Sequence, residues 1–279
     1  MSMADQDLTE WNKKLNHAKR TWNLLDDGDA FKTRSSLLQP VVYKGVKAML
    51  KIPISIEECR GSALMICWNG KGSAPVLEHD ENALLMERAV GQGSLKQMVL
   101  NGNEDRANQI ICDVAAKLHA AQCKHIKELI PLTEWFNALK PAAHRYGGIF
   151  VKCSEVAGRL LSTPIETVVL HGDIHYENIL DSGRGEWVAI DPKALFGERG
   201  FDFANIFCNP DIQTAVSPGR LSRQIKLIAA EAGLDEKRLL NWVIAWSGLS
   251  AAWILNDGED AELQMTVVKI AINELNNFK

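Results

Sequence analysis

The sequence predicts an α+β fold of two lobes, a small β-rich amino-terminal lobe followed by a larger helical lobe. Short apolar runs with the character of strands fill most of the first part of the chain. Helical periodicity takes over from Leu95 onward and is clearest over residues 107–121. Between the two patterns, residues 90–94 carry two glycines that loosen the backbone. We therefore expect an amino-terminal lobe of residues 1–88 and a helical lobe of residues 89–279.

The first lobe opens with an amphipathic segment and a hairpin. Apolar residues recur at roughly helical spacing over residues 8–25, and the acidic cluster that follows ends the pattern. Residues 35–43 and 46–52 are two β-like runs on either side of a Lys-Gly turn, and the second alternates as a half-buried strand does. These runs predict a β-hairpin whose second strand ends near Lys51.

A helix over residues 56–68 is predicted after the hairpin. Ser55 and Glu58 fit a capping box, in which the hydroxyl and the carboxylate each accept a bond from a free backbone N–H group. An Asn-Gly pair marks the end of this helix. Two more short apolar runs, at residues 75–77 and 83–86, complete the strand-rich lobe.

The second lobe contains two further β-like runs within a mainly helical pattern. These runs, at residues 165–170 and 187–190, flank a polar segment at residues 171–182. A glycine-rich turn precedes the second run, so we expect that run to pair across the turn. Helical periodicity returns from about Leu221 to the end of the chain.

The composition is that of a globular protein, and its negative net charge favours a cationic ligand. Hydrophobic residues make up 46% of the 279 residues and charged residues 24%, so disorder is not expected. Lys and Arg total 31 against 35 for Asp and Glu, a net charge of -4. This balance provides no electrostatic attraction for nucleic acid or anionic lipid, and we expect neither as a partner.

The cysteines and the chain terminus indicate a reducing compartment. The six cysteines include no C-x-x-C pair, which argues against a zinc ribbon or a redox motif and favours reduced, mostly buried thiols. The first residues lack the apolar core of a signal peptide, and no stretch has eighteen consecutive apolar residues. We expect a cytoplasmic protein without a membrane partner, as a monomer or a dimer.

The candidate chemistry lies in the polar segment between the last two β-like runs. His171, Gly172 and Asp173 are followed by Asn178, and Asp191 comes directly after the next run. Phosphoryl transfer needs a carboxylate that orients the attacking hydroxyl and oxygen ligands that hold Mg²⁺ on a triphosphate. The H-x-D-x-x-x-x-N spacing provides Asp173 as base and Asn178 as metal ligand, with Asp191 as the second ligand. The sequence therefore predicts a kinase that uses ATP and Mg²⁺.

Each of these side chains could instead cap a turn between strands, as Asp and Asn often do. A turn needs no fixed interval between Asp and Asn, however, so the spacing favours the catalytic interpretation. We expect His171 to order the loop through its ring. His175 is predicted to be either a satisfied loop histidine or a contact to the substrate.

The motif resembles the aminoglycoside phosphotransferase branch of the protein-kinase-like fold, whose catalytic segment reads HGD followed five residues later by Asn. It is most similar to the streptomycin 6-kinase group, also described as aminoglycoside/hydroxyurea resistance kinases. The further matching segments are residues 190–192, 197–201, 204–205, 249–253 and 257–259. The resemblance covers most of the chain from about Arg34 on. It implies a protein-kinase-like two-lobe fold and phosphorylation of a hydroxyl of an aminoglycoside such as streptomycin, which would confer antibiotic resistance.

The resemblance implies a nucleotide site in the first lobe. Lys51 would be the lysine that contacts the ATP phosphates, with Glu58 or Glu57 as its ion-pair partner. Lys51 could also be an ordinary strand-end lysine, and Glu58 could only complete the capping box. No G-x-G-x-x-G loop precedes Lys51, and Ser35 and Ser36 stand where such a loop would bend over the phosphates.

The resemblance also implies a hinge and a support for the catalytic loop. Met86, Glu87 and Ala89 would belong to a hinge whose backbone bonds the adenine. Asp202 would be buried and would brace the catalytic loop from the following helix. Pro192 stands directly after Asp191, where protein kinases have Phe-Gly, and this removes their usual switch.

A substrate site for a polycation should contain several carboxylates near the base. Asp257, Glu259 and Asp260 form such a cluster in one short loop. On turn chemistry alone the same loop is a solvated connection between helices, and only the resemblance favours a substrate site. Three tryptophans recur at helical spacing just before this loop, which indicates packing in the lobe core. They are Trp242, Trp246 and Trp253.

Three alternatives remain open from the sequence. A metallophosphoesterase could use the G-D-x-H at residues 172–175, although the clustered histidines that a dinuclear hydrolase needs are missing. A nucleotide-binding regulator without turnover is a second alternative, and the intact Asp173, Asn178 and Asp191 argue against it. The third is a kinase of a host metabolite, such as a sugar or an amino alcohol, or of hydroxyurea.

Overall fold

The computed structural model describes residues 3–123, 126 and 129–278. The β-strands are β1 (Leu25–Asp26), β2 (Phe31–Lys32), β3 (Ser36–Tyr43), β4 (Val46–Pro53), β5 (Val76–His79), β6 (Leu84–Glu87), β7 (Ile130–Pro131), β8 (Thr167–Leu170), β9 (Ile179–Asp181), β10 (Trp187–Ala189) and β11 (Leu195–Glu198). The α-helices are α1 (Met3–Thr21), α2 (Ile56–Trp68), α3 (Leu95–Leu100), α4 (Glu104–Ala120), α5 (Leu132–Trp135), α6 (Leu139–Tyr146), α7 (Gly148–Ser162), α8 (Ile212–Ala215), α9 (Arg220–Ala232), α10 (Glu236–Asn256) and α11 (Glu262–Asn277). Two 3₁₀ segments cover Phe136–Ala138 and Arg199–Cys208.

The first lobe is built on an antiparallel sheet in the order β1-β3-β4-β6-β5, and β2 also pairs with β3. The predicted hairpin is confirmed, since β3 and β4 pair over their whole length and Tyr43 lies opposite Val46. Lys44 and Gly45 both have positive φ, 48° and 82°. A two-residue turn with this backbone matches the twist of the strands that it joins.

Helices cover this sheet and connect it to the second lobe. Leu15 and Ala18 of α1 are buried in a core that includes residues of β3 and β4. The helix formed by the amphipathic segment ends at Thr21, earlier than expected. Asn23 follows with φ 53°, the left-handed conformation that is common where helices end. The predicted helix over residues 56–68 is confirmed as α2, which Asn69 ends in a left-handed conformation.

The second lobe packs around the long helix α10. Trp242 of α10 is fully buried, and its ring contacts Phe201 and Phe136 with centroids 5.7 Å and 6.1 Å apart. α10 is long and apolar enough to cross a membrane, but 72% of its apolar window is buried inside the protein. It is therefore the core helix of this lobe.

Short strands at the junction of the lobes position the polar segment. The run predicted at residues 187–190 forms β10 and pairs antiparallel with β9, with Ala189 opposite Ile179. The run at residues 165–170 forms β8, which pairs with β11, and β11 pairs with β7 on its other side. The sequence did not predict this three-stranded sheet. The candidate catalytic loop is the connection from β8 to β9.

The expectation of reduced thiols is wrong for one pair of cysteines. Cys67 at the end of α2 and Cys123 after α4 form a disulfide, although they are 56 residues apart in the sequence. Folding brings their Cα atoms to 6.0 Å, within the usual range for such a bond, and this proximity has no sequence signature. Three of the remaining cysteines are buried free thiols, and burial raises the pKa of each to about 12. They are Cys112, Cys153 and Cys208.

Candidate active site

The catalytic loop begins at a backbone turn that Asp202 holds. Gly172 has φ 86°, a conformation that favours glycine. The backbone N–H groups of His171 and Gly172 donate to the two carboxylate oxygens of Asp202, at 3.0 Å and 2.7 Å. His119 Nε2 lies 2.8 Å from the same carboxylate. Asp202 is only 1% exposed, so its position beneath the loop is the one that the sequence resemblance implied.

The His171 ring is fully buried and makes one hydrogen bond with each nitrogen. Its Nδ1 accepts the backbone N–H of Asp173 at 3.2 Å, and its Nε2 lies 2.9 Å from the carbonyl oxygen of Ile190. The acceptor role of Nδ1 requires the proton on Nε2, which then donates to Ile190. Burial lowers the pKa of His171, so the ring is neutral near pH 7. Trp68 stacks on the ring, and the residue orders the loop by these contacts.

The Asp173 carboxylate is half-buried and oriented by two amides. Asn205 Nδ2 donates to Asp173 Oδ1 at 2.8 Å. Asn178 Nδ2 donates to the backbone oxygen of Asp173 at 2.9 Å and lies 3.4 Å from Oδ2. Sequence reasoning gave no role to Asn205, although it stands in a segment that carried the family resemblance. The signal that could have found it is its place three residues after Asp202 in the same short helical segment.

Asn178 and Asp191 present the oxygen donors that Mg²⁺ prefers. The Asn178 amide nitrogen is used on Asp173, and its Oδ1 accepts no hydrogen bond from any residue that the structure describes. The backbone N–H of Ile190 donates to the backbone oxygen of Asn178 at 3.0 Å, which brings Asp191 beside the loop. One carboxylate and one amide oxygen form a suitable donor set for Mg²⁺ on a triphosphate. These residues therefore fit the metal.

A buried ion-pair cluster links the first lobe to Asp191. Lys51 is 6% exposed, and its ammonium contacts the Glu58 carboxylate and donates to Asp191 Oδ1 at 2.6 Å. Of the two candidates, Glu58 is therefore the residue that pairs with Lys51. Ser35 Oγ and Ser36 Oγ donate to the same carboxylate at 2.9 Å and 3.2 Å.

These contacts correct part of the predicted capping box and place the two serines differently. Ser55 Oγ accepts the backbone N–H of Glu58 at 3.2 Å, as expected. The Glu58 carboxylate does not return a bond to the helix start, because Lys51 and the Ser35 and Ser36 hydroxyls bind it instead. Both serine hydroxyls donate to Glu58, so a role of these two residues in binding phosphate stays a prediction.

Lys193 is a second lysine in the cluster, and the sequence reasoning missed it. Its ammonium lies 3.4 Å from Asp191 Oδ2 and 3.6 Å from Glu58 Oε1. Burial lowers the pKa of Lys193, but Asp191, Asp173 and Glu58 outweigh this and raise it above its ordinary value. Burial raises the pKa of Asp191, but the positive charges of Lys51 and Lys193 outweigh this effect and hold the pKa far below its usual range. The sequence signal that could have identified Lys193 is its position two residues after Asp191, in the sequence Asp-Pro-Lys.

Helix α2 rests directly on the segment that follows Asp191. A Cβ atom added at Gly61 would lie 2.3 Å from the carbonyl oxygen of Pro192. No side chain fits between the helix and the segment, so glycine is required at this contact. The contact holds Glu58, one turn earlier on α2, next to Lys51.

The predicted hinge lies where the sheet meets the second lobe. Met86 is buried, and the backbone N–H of Glu87 donates to Pro75 O at 2.8 Å. The Ala89 N–H has no backbone partner within the described part of the chain, so it is available as a donor. Glu87 Oε1 accepts from Arg184 at 2.7 Å. The adenine contacts remain a prediction.

A buried polar network supports the catalytic loop from below. Arg220 is 3% exposed, and its Nε donates to Glu104 Oε1 at 2.6 Å. Tyr176 of the loop donates to Asn108 Oδ1 at 2.9 Å and lies 3.3 Å from the same Glu104 oxygen. Arg220 also donates to backbone oxygens at the end of the 3₁₀ segment, including Asn209 O at 2.8 Å. The network ties the loop to the segment that carries Asp202 and Asn205.

A cavity of about 660 Å³ opens beside Asp173. Its lining is rich in acidic and aromatic side chains. The acidic side chains besides Asp173 are Glu57, Glu134 and Asp257, and the aromatic ones are Trp135, Trp246 and Trp253. Trp135 and Trp253 meet edge to face with ring centroids 5.3 Å apart. Arg34, which also lines the cavity, pairs with Asp257 at 3.0 Å across its mouth.

The cavity divides the predicted substrate residues. Asp257 lines it, whereas Glu259, Asp260 and His175 are not part of its lining. Asp260 Oδ1 accepts the backbone N–H of Glu262 at 3.0 Å, at the start of α11. His175 Nδ1 accepts the backbone N–H of Glu177 at 3.2 Å, as a satisfied loop histidine does. Substrate roles for these three residues stay predictions.

The expectation that the late tryptophans pack in the core is confirmed for Trp242 and Trp246, which are buried core residues, and Trp253 is partly buried against that core. Trp246 and Trp253 also line the cavity, a role that the helical spacing did not predict. Glu134 and Trp135, which complete the wall, had no sequence signal. A metallophosphoesterase site is not supported, since no group of three or more His, Cys, Asp and Glu that could hold a metal occurs among the described residues.

Comparison with known proteins extends over most of the chain. Residues 21–258 match the family described as aminoglycoside/hydroxyurea antibiotic resistance kinase. A streptomycin 3''-kinase of Klebsiella pneumoniae is 45% identical over 242 residues, which cover 85% of this chain and 91% of that protein. A streptomycin 6-kinase of Streptomyces griseus is 27% identical over 260 residues, covering 85% of this chain and 80% of that protein.

Among solved structures, an aminoglycoside phosphotransferase from Streptomyces rimosus superimposes with a TM-score of 0.60 at 18% identity. The match covers 88% of this chain and 98% of that one. The predicted protein-kinase-like fold, with a small β-rich lobe and a larger helical lobe, is confirmed by this likeness together with the observed architecture.

Proposed function

Because the chain belongs to the aminoglycoside/hydroxyurea antibiotic resistance kinase family, we propose that it transfers the γ-phosphoryl of ATP to a hydroxyl of streptomycin and thereby confers resistance. The observation that carries this proposal is the position of Asp173, which lines the acidic, tryptophan-lined cavity together with Lys193, a residue that contacts Asp191 of the ion-pair cluster. A small-molecule kinase needs its base at the boundary between the nucleotide phosphates and the acceptor.

Asp173 acts as the base in this reaction. Asn205 holds Oδ1 of the carboxylate, so Oδ2 is the oxygen that orients the acceptor hydroxyl and receives its proton. The acceptor oxygen forms a bond to the γ-phosphorus while the bond from that phosphorus to the bridging oxygen of ADP breaks. Asn178 and Asp191 would hold Mg²⁺, which would neutralise charge on the triphosphate.

The cavity favours a cationic acceptor. Three carboxylates besides the base, those of Glu57, Glu134 and Asp257, line it. An aminoglycoside is a polycation rich in hydroxyls, and carboxylates attract its charged groups while indole faces stack on them. Trp135 and Trp253 provide such faces on one wall.

Replacing Trp253 by leucine is expected to raise the KM for streptomycin about tenfold with little change in kcat, since a lost cation–π contact weakens binding in ground state and transition state alike. Steady-state kinetics at saturating ATP provide both values. Trp22→Leu is the matched control, because Trp22 packs against the core of the first lobe. An unchanged KM in Trp253→Leu would argue against this wall as part of the acceptor site.

Replacing Asp191 by alanine is expected to raise the Mg²⁺ concentration needed for half-maximal rate by at least about tenfold, because one of two proposed ligands is lost. Initial rates measured across a Mg²⁺ series, with melting temperatures to verify folding, test this. Asp113→Ala, an exposed site on α4, is the control. A normal Mg²⁺ response in Asp191→Ala would contradict the ligand assignment.

The direct test of the function is a screen for ADP release over streptomycin, hydroxyurea, amino sugars and amino alcohols. The expected product is streptomycin with the added mass of one phosphoryl group. Heteronuclear NMR of the product then assigns the 3'' or the 6 hydroxyl, the two positions that the relatives' names contain. Turnover with a host metabolite or hydroxyurea and none with streptomycin would overturn the proposed substrate while keeping the kinase chemistry.

A further inference from the structure

We propose that Lys193 is a further catalytic residue, whose ammonium group binds the γ-phosphoryl while it passes from ATP to the acceptor. The inference rests on the proposed function and assigns a role to a side chain that the mechanism above does not use. Four observations support it: the fixed backbone of the residue, the loose contacts of its ammonium, the charge of its surroundings and its place beside Asp173.

The backbone of Lys193 is attached to the start of the catalytic loop. Its N–H donates to the carbonyl oxygen of His171 at 2.6 Å. A Cβ atom added at Gly172 would lie 3.0 Å from Lys193 Cβ, so the two chain segments pass in direct contact. The side chain is 17% exposed and lines the cavity together with Gly172 and Asp173. Lys193 is thus anchored in the same part of the cavity wall as Asp173.

The ammonium of Lys193 has capacity for a ligand. Its contacts to Asp191 and Glu58, at 3.4 Å and 3.6 Å, are long compared with the 2.6 Å bond from Lys51 to Asp191. Only the contact to Asp191 has hydrogen-bond geometry among the described residues. An ammonium group carries three donors, so two remain for oxygen atoms of a bound group.

The charge of the surroundings indicates which group that is. The cavity is otherwise acidic, and its other cation, Arg34, is paired with Asp257 at the mouth. A lysine ammonium beside the base would repel a cationic acceptor, so it does not serve to attract the acceptor. Lys193 lines the cavity with the base and lies 3.4 Å from Asp191, the proposed metal ligand. The transferred phosphoryl group carries charge on its three equatorial oxygens. A fixed cation at this place stabilises that charge.

The proton and electron balance of the step is unchanged by Lys193. The acceptor oxygen bonds to the γ-phosphorus, the bond to the bridging oxygen breaks, and its electron pair leaves with ADP. The hydroxyl proton goes to Asp173. Lys193 neither gives nor takes a proton, and its contribution is electrostatic throughout.

The experiment compares Lys193→Met and Lys193→Arg with the wild-type enzyme and with Lys237→Met, a change at an exposed lysine. For Lys193→Met we expect kcat to fall by about 10²–10³-fold, as for removal of one preorganised donor, with KM for ATP and streptomycin within about threefold of wild type. Lys193→Arg, which keeps the charge, should have a kcat at least about tenfold higher than that of Lys193→Met.

A binding measurement provides a readout that does not depend on turnover. Calorimetry with ADP, Mg²⁺ and aluminium fluoride, a mimic of the transferred phosphoryl, should show weaker binding to Lys193→Met by the same factor. The affinity for ADP with Mg²⁺ alone should not change. A variant that fails in both titrations, or melts well below wild type without recovery by arginine, would indicate a structural role and overturn the proposal.

The outcomes separate this inference from the proposed function. Wild-type turnover of streptomycin with an equally active Lys193→Met overturns the role of Lys193 alone. An increase in KM for ATP at unchanged kcat also overturns it, because the lysine then binds the nucleotide in the ground state only. If the wild type does not phosphorylate streptomycin, the proposed function fails, and the aluminium fluoride titration still decides whether Lys193 contacts the phosphoryl group.

Discussion

Replacing Asp173 by alanine is expected to lower kcat for streptomycin by about 10²–10⁴-fold, the loss typical of a positioned general base. The affinity for ATP should stay nearly the same, because the carboxylate contacts Asn205 and Asn178 and faces the acceptor cavity. Steady-state kinetics provide kcat, and a titration with a non-hydrolysable ATP analogue provides the affinity.

The control for this change is Asp113→Ala on the exposed surface of α4, which should keep wild-type kinetics. Asp173→Asn is a second informative variant, since it preserves the shape of the side chain and can still accept from Asn205. Its kcat should be as low as that of the alanine variant if proton acceptance is what matters. Full turnover in either variant would remove Asp173 from the mechanism.

Replacing Arg220 by methionine is expected to reduce the free energy of unfolding by about 3–5 kcal/mol, because breaking a buried ion pair leaves the other charge uncompensated. The remaining charge is Glu104, which keeps its contacts with the half-exposed Arg223 at 2.9 Å and with the Tyr176 hydroxyl at 3.3 Å but loses its buried cation. The arginine also bonds the backbone of the segment that carries Asp202 and Asn205, so kcat should fall as well. Urea denaturation followed by tryptophan fluorescence measures the change.

The double variant Arg220→Met with Glu104→Gln separates the cost of the unpaired Glu104 charge from the cost of the other contacts that Arg220 loses. Removal of both charges should restore part of the lost stability, because no isolated charge remains in the core. Arg223→Met alone should cost under about 1 kcal/mol, as exposed ion pairs do. If Arg220→Met lowers the free energy of unfolding by less than about 1 kcal/mol, the network contributes little to folding.

The parts of the site that the sequence predicted are those in which local spacing determines geometry. Asp173 and Asn178 lie on one loop, so their separation in the sequence places both at the same junction. The hairpin of β3 and β4 and the helix α2 likewise follow from alternation, turn residues and caps over short stretches. The pairing of Lys51 with Glu58 was implied by the family resemblance and left open between two glutamates.

The parts that escaped prediction depend on contacts between distant segments. Lys193 stands two residues after Asp191, so its proximity to Asp191 could be expected from the sequence. Only the folded chain shows that its ammonium also reaches Glu58. The cavity wall joins Trp135 to Trp253, more than one hundred residues later, and neither neighbourhood contains a motif. The capping-box prediction failed in part for the same reason, because a lysine from the sheet binds the carboxylate that the helix could have used.

The close contact between Gly61 and Pro192 has a consequence for how such an enzyme can be controlled. In protein kinases the helix that carries the paired glutamate can move outward, which separates lysine from glutamate and silences catalysis. Here the equivalent helix lies on the backbone of the opposite lobe with no side chain between them. Lys51 is paired with both Glu58 and Asp191 in this arrangement. We therefore expect no activation step in which α2 moves against the second lobe.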